Sequence, residues 1–141
     1  MKKLGLTALC VFAALGLSAC VTQDQADVKM VKGCAAGVGS LIAPREIQEI
    51  KAQRYANEQV EGGLHRRITL EAVERDGWVE LDKEYSCLFM QQWGMFKSSH
   101  EALLVQVKFD DKIVGKKDGV LTGDFDDFLA LTRVVDAAMG Q

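Results

Sequence analysis

The chain has 141 residues, with 17 basic against 20 acidic side chains and a net charge of −3. That balance excludes a nucleic-acid binder, whose affinity rests on a clustered cationic surface. With 48% hydrophobic residues, one proline and no repeat or low-complexity segment, the sequence reads as globular and large enough for one modest core.

Met1-Lys2-Lys3 is a positive start, Leu4 to Leu17 an apolar run, and Ser18-Ala19-Cys20 the small residues of a cleavage site. This is the order of parts in a secretory leader. The apolar run is shorter than the roughly 20 residues a membrane-crossing helix needs. Leu17-Ser18-Ala19-Cys20 resembles a bacterial lipobox. The resemblance implies that residues 1–19 are a cleaved lipoprotein signal peptide and that Cys20 carries a diacylglycerol and an N-acyl chain. No other cofactor is expected. Several acyl chains, at about 0.8 kcal/mol per buried methylene, would make release from the membrane negligible. Val21 rather than aspartate after the cysteine implies, in proteobacterial lipoproteins of this kind, the outer membrane of the cell envelope, facing the periplasm. Loss of Lys2 and Lys3 with the leader takes the net charge from −3 to −5.

Residues 20–26 read as a short lipidated tether and residues 27–141 as a single α+β domain of the periplasmic type. From Asp27, Val28, Val31, Ala35, Val38 and Ile42 recur at helical spacing, which predicts a first helix. Pro44 ends it, because the residue before proline is pushed from helical geometry. Gly33, Gly37 and Gly39 weaken that helix but let another element, expected to be the sheet, pack close. Cys10 leaves with the leader and Cys20 takes the lipid, so Cys34 and Cys87 remain as an even pair. In an oxidising periplasm the simplest reading of such a pair is a disulfide. A catalytic thiol at Cys87, served by His65 or His100, is the alternative, but no cationic neighbour or glycine-rich turn flanks Cys87 to lower its pKa.

Residues 45–60 are read as a strand despite their helix-favouring composition, since Gly62-Gly63 points to a turn into Leu64. Asp76-Gly77 predicts a hairpin pairing Arg75 with Trp78, and so Ala72 with Leu81, Ile68 with Tyr85 and Arg66 with Cys87. Val79, Leu81, Tyr85, Cys87 and Phe89 then face inward, and Glu71 meets Asp82 on the outer face. A second hairpin turns at Asp110-Asp111 with Leu103, Val105, Val107 and Phe109 inward. Asp124 caps a final helix with Phe128, Leu129, Thr132, Val135 and Met139 on one stripe. The expected fold is an antiparallel sheet of four or five strands with an N-terminal and a C-terminal helix packed on one face, stapled by one disulfide.

The acids between Asp118 and Asp127 lack the ligand spacing of a calcium loop, and the two cysteines and two histidines lack the paired spacing of a zinc site, so no metal is expected. His65-Arg66-Arg67 reads as a solvated strand edge, and Lys116-Lys117 as surface lysines beside a turn. Nucleophile-elbow, phosphate-loop and dinucleotide patterns are absent, and no catalytic residue is nominated. Trp93, Met95 and Phe96 are the candidate partner-binding loop, because apolar residues in a connection after a strand mark contacts. The leading expectation is a membrane-anchored, non-enzymatic binding or structural module of the envelope, meeting an envelope protein or the cell wall. Tyr85-Ser86-Cys87 is similar to the Tyr-x-Cys element of small disulfide-bonded lipoproteins that block lysozyme, which implies a cell-wall-hydrolase inhibitor as an alternative. A small-ligand carrier and, last, a cysteine-dependent enzyme complete the set.

Overall fold

The computed structural model describes residues 20–60 and 62–141. Cys10 and the leader through Ala19 lie outside the described residues. The elements follow in the order α1 (Gln23–Ile42), β1 (Glu46–Val60), β2 (Gly63–Asp76), β3 (Val79–Trp93), β4 (His100–Phe109), β5 (Lys112–Lys117), β6 (Val120–Thr122) and α2 (Phe125–Met139). The six strands form one antiparallel meander in chain order, one strand more than the upper expectation. The extra piece is the three-residue β6, too short to show an alternation in the sequence.

Helix α1 starts four residues before the expected Asp27. Thr22 is its N-cap: the hydroxyl accepts from the Gln25 backbone N–H, and the Gln25 side chain accepts from the Thr22 N–H. This reciprocal box satisfies two of the donors that every helix start leaves open. The expected tether of residues 20–26 therefore shrinks to Cys20 and Val21. Its polar composition reflects the exposed first turn of a helix.

A core of aliphatic and aromatic residues lies between α1 and the sheet. Met30, Cys34, Val38 and Ile42 from α1 meet Ile68 and Leu70 of β2, Tyr85, Cys87 and Phe89 of β3, and Val107 of β4, all buried. Val28, placed on this stripe by spacing, is exposed. The Cys34–Cys87 disulfide crosses the core with a Cα separation of 5.7 Å, joining α1 to the strand beneath it. Helix α2 packs on α1 through the glycines rather than presenting them to the sheet. A Cβ on Gly33 would lie 2.7 Å from Met139 Cγ, and one on Gly37 would lie 2.8 Å from Val135 Cγ2. The buried stripe of α2 is Leu131, Val135 and Met139, with Leu129 exposed.

Both hairpins form, with local differences. Asp76 pairs with Val79 and Ile68 with Cys87, so the β2–β3 loop is Gly77-Trp78, with Gly77 at φ 61° supplying the positive φ of a turn whose first central residue is glycine. Moving each partner by two residues keeps both strands on their expected faces. Val79 and Leu81 are nevertheless exposed, because this end of the hairpin runs beyond the helix layer. Glu71 meets Glu84 rather than Asp82, and Arg54 of β1 donates to both carboxylates. In the second hairpin Phe109 pairs with Lys112 around Asp110-Asp111, both at positive φ. Between Leu88–Gln106 and Phe89–Leu104 the pairing skips Val105. This bulge inverts the alternation: Ala102 and Leu104 point inward below it, Val107 and Phe109 above it, while Leu103 is exposed and Val105 half-buried. Gly115 sits against the bulge at φ 109°, where a Cβ would collide with the Val105 carbonyl. Below the bulge β5 no longer pairs with β4. There the Gln141 side chain accepts from the Ala102 N–H at 3.0 Å and donates to its C=O at 3.0 Å.

Candidate functional site

The connection after β3 is a tight, protruding loop close to Cys20. Gly94 N–H donates to Ser99 O at 3.0 Å, and Lys97 N–H to Gly94 O at 3.0 Å, closing a single turn over Met95–Lys97. Phe96 and Lys97 sit at φ 55° and 56°, a left-handed geometry that costs a non-glycine residue about 1 kcal/mol or more. Met95 and Phe96 project outward, 79% and 90% exposed. Val21 N–H donates to Lys97 O at 2.9 Å, fastening the chain just after Cys20 to the loop. Cys20 itself is exposed, with a free thiol.

The loop base is firm. Trp93 is half-buried and packs on the core, and its ring lies 4.5 Å from that of His100, while the Lys97 ammonium stands 5.6 Å above the indole. Gln91 Oε1 accepts from Gln23 Nε2 at 3.0 Å and from His100 Nε2 at 2.9 Å, so Nδ1 is the bare imidazole nitrogen. It is buried without a partner. Burial, and then the positive charge of Lys29, hold the His100 pKa below its usual value. Of the three loop residues singled out from sequence, Trp93 therefore caps the core, and Met95 and Phe96 are the free surface.

At the other end of β3, Trp78 is 103% exposed at the β2–β3 tip, beside the exposed Val79 and Leu81. Spacing turns Val79 and Leu81 inward and pairs Trp78 with Arg75 as the first residue of the returning strand, whereas the structure places Trp78 in the turn. Beneath this tip runs a charged network. Arg45 donates to Glu74 and to Asp110, each at 2.8 Å, Lys83 donates to Asp110 at 3.1 Å, and the Tyr85 hydroxyl donates to Glu74. Burial and the hydrogen bond to Glu74 push the Tyr85 pKa up. Bonds from Arg45 and Lys83 hold the Asp110 carboxyl below its usual range. Tyr85 and Glu74 are buried, and this network braces the strands. Tyr85-Ser86-Cys87, the element similar to lysozyme-blocking lipoproteins, is also buried.

The basic triplet divides between faces as alternation requires, but β2 is an interior strand rather than a solvated edge. Arg66 faces α1 and grips Asp27 through Nε at 3.0 Å and one terminal nitrogen at 2.6 Å, with both side chains largely buried. His65 and Arg67 face an open groove of about 870 Å³ on the helix-free side, lined also by Leu88, Met90, Gln106 and the exposed Lys116 and Lys117. Arg67 donates to both Glu58 oxygens, one at 2.9 Å, and to Ser86 Oγ at 3.2 Å. Those bonds hold the Glu58 carboxyl below its usual pKa.

Cys34 and Cys87 are both consumed by the disulfide and buried, which removes either as a thiolate nucleophile. The acidic stretch from Asp118 forms a turn at φ 51°, then β6, then the α2 cap, where Asp124 accepts from the Asp126 and Asp127 N–H groups. Among the described residues no group of three or more histidine, cysteine, aspartate or glutamate side chains is placed to hold a metal ion, and no helix is long and apolar enough to cross a membrane.

No family model, curated protein or solved structure matches this chain.

Proposed function

We propose that the protein is a lipid-anchored, non-enzymatic binding module of the bacterial cell envelope, held on the periplasmic face of the outer membrane through Cys20. It presents the β2–β3 tip to an envelope protein or the cell wall. The observation that carries this reading is the opposition of two features along β3. The Val21–Lys97 hydrogen bond holds Cys20 at the Trp93 end, and Trp78, with Val79 and Leu81, stands exposed at the other. A strand of 15 residues spans about 50 Å if straight, so a domain tied down at Cys20 offers its aromatic tip away from the bilayer. Exposed tryptophan beside aliphatic residues is the composition of a contact centre. The disulfide suits an oxidising compartment.

Intact mass of the membrane-extracted protein, with Cys20→Ser as control, tests the anchor. The expected result is a thioether diacylglyceryl and an N-acyl chain on Cys20, and a protein beginning at Met1 without lipid would defeat the reading. A photo-crosslinker placed at Val79 tests the tip in intact envelopes. One reproducible adduct is expected there, strongly reduced by Trp78→Ala and absent when the label is at Lys51. Equal labelling from both positions would remove the tip as a binding surface.

A further inference from the structure

We propose that the Met95–Phe96 tip is a membrane-contacting element, which enters the interfacial layer of the bilayer that holds the Cys20 lipid, with Lys97 at the headgroup phosphates. The inference rests on the lipid-anchored reading above and adds the orientation of the domain to it.

The lipid brings the bilayer to this loop. Adding covalent bond lengths on either side of the 2.9 Å Val21–Lys97 hydrogen bond puts the Cα atoms of Cys20 and Lys97 within about 8 Å of each other. The polar layer of one leaflet is only about 6 Å deep. A loop so close to an acylated cysteine meets lipid unless it points directly away, and its two outermost side chains are apolar. Phe96 and Lys97 hold left-handed backbone geometry, and Phe96 stands 90% exposed. The base beneath them is braced by the Trp93–His100 contact and the Gln23–Gln91–His100 bonds. The loop is therefore built to display Phe96 rather than left loose.

The chemistry matches an interface. A phenyl ring and a thioether enter the acyl boundary while a neighbouring ammonium reaches phosphate. Lys29, at the same end and 3.4 Å from the His100 carbonyl, adds a second cation. The net charge of −5 left after loss of Lys2 and Lys3 gives no general attraction to anionic lipid, so contact has to come from local apolar burial. Lipid at Cys20 and side chains at Met95 and Phe96 make two attachments, which fix a tilt where one would leave the domain swivelling.

The test uses the full, lipidated protein in vesicles of phosphatidylethanolamine and phosphatidylglycerol with brominated acyl chains. In a Trp78→Phe, Trp93→Phe background, Phe96→Trp or Met95→Trp provides the sole indole, at a site already exposed. A second protein, Trp93→Phe alone, keeps only Trp78. Bromine is expected to quench the loop indoles at least threefold more than Trp78, whose emission should match that in unbrominated vesicles. Equal, weak quenching of loop and tip, with the lipid on Cys20 confirmed by mass, overturns the insertion while leaving the anchor intact. An unquenched loop indole protected only when envelope protein is added would assign the loop to a protein and likewise overturn the proposal. Absence of the lipid itself would bring down the parent reading first.

Discussion

The three glycines of α1 allow helix propensity and packing to be weighed against each other within one helix. Alanine at a helix interior is favoured over glycine by about 1 kcal/mol, so Gly39→Ala, whose Cβ would meet nothing within 4 Å, is expected to raise stability by about that amount. At Gly37 the same gain is opposed by a Cβ 2.8 Å from Val135 Cγ2. Valine has one strongly preferred χ1 in a helix and this one is fully buried, so it cannot turn aside. Overpacking of this kind costs about 1–3 kcal/mol, and Gly37→Ala should lose about 1 kcal/mol net. Gly33→Ala is likewise opposed, because its Cβ would lie 2.7 Å from Met139 Cγ and 3.0 Å from Val135 Cγ1. At about 4 °C per kcal/mol for a domain of this size, Gly39→Ala and Gly37→Ala should differ by about 8 °C in Tm. The assay is thermal unfolding followed by circular dichroism, with the disulfide intact. Equal Tm values for these two variants would refute the close approach of α1 and α2.

Cys34→Ala with Cys87→Ala releases a loop of 53 residues and is expected to cost about 4 kcal/mol by chain entropy, read as a lower urea midpoint in the non-reduced protein. Asp27→Ala strands the largely buried Arg66 guanidinium and should cost about 3–5 kcal/mol, whereas Asp27→Leu with Arg66→Met should recover most of it; a double variant as unstable as the single one would count against a buried ion pair. The pH profile should show two acid losses. His100, held neutral below its usual pKa, makes the unfolded chain the better proton binder, so stability falls as pH drops through about 6.5 toward the folded value, and His100→Gln should remove that step in urea titrations. Asp110 and Glu58, both held low by their cationic partners, contribute stability that is present above about pH 4 and lost as pH falls through their folded values.

The disulfide, the two flanking helices, the strand at 45–60 and the Asp110-Asp111 turn were legible because each depends on local chemistry: an even pair of cysteines, an N-cap, a glycine pair or a short turn. The capping box that lengthens α1 is equally local, and Thr22 with Gln25 three residues on was its readable sign. What escaped depends on partners distant in sequence. No alternation pattern announces the bulge at Val105, which is set by how β3 and β5 meet β4, and it reversed the assignments of Leu103 and Leu104. Gly33 and Gly37 were rightly read as close-packing positions, but only the fold reveals α2 as the neighbour. Val79 and Leu81 alternate like core residues and still lie in water, since length alone carries their hairpin past the helices. Arg66 was correctly placed opposite His65 and Arg67 in direction, and Asp27 could not be named as its partner from 39 positions away.

The amide of Gln141 on Ala102 has a meaning beyond fastening the last helix. Below the Val105 bulge, β4 has lost β5 as a neighbour, and its outward N–H and C=O groups form the kind of open strand edge onto which another chain can zip. By donating to and accepting from a single residue there, one side chain imitates the missing strand at Ala102. It interrupts the ladder that a second molecule would need for self-association.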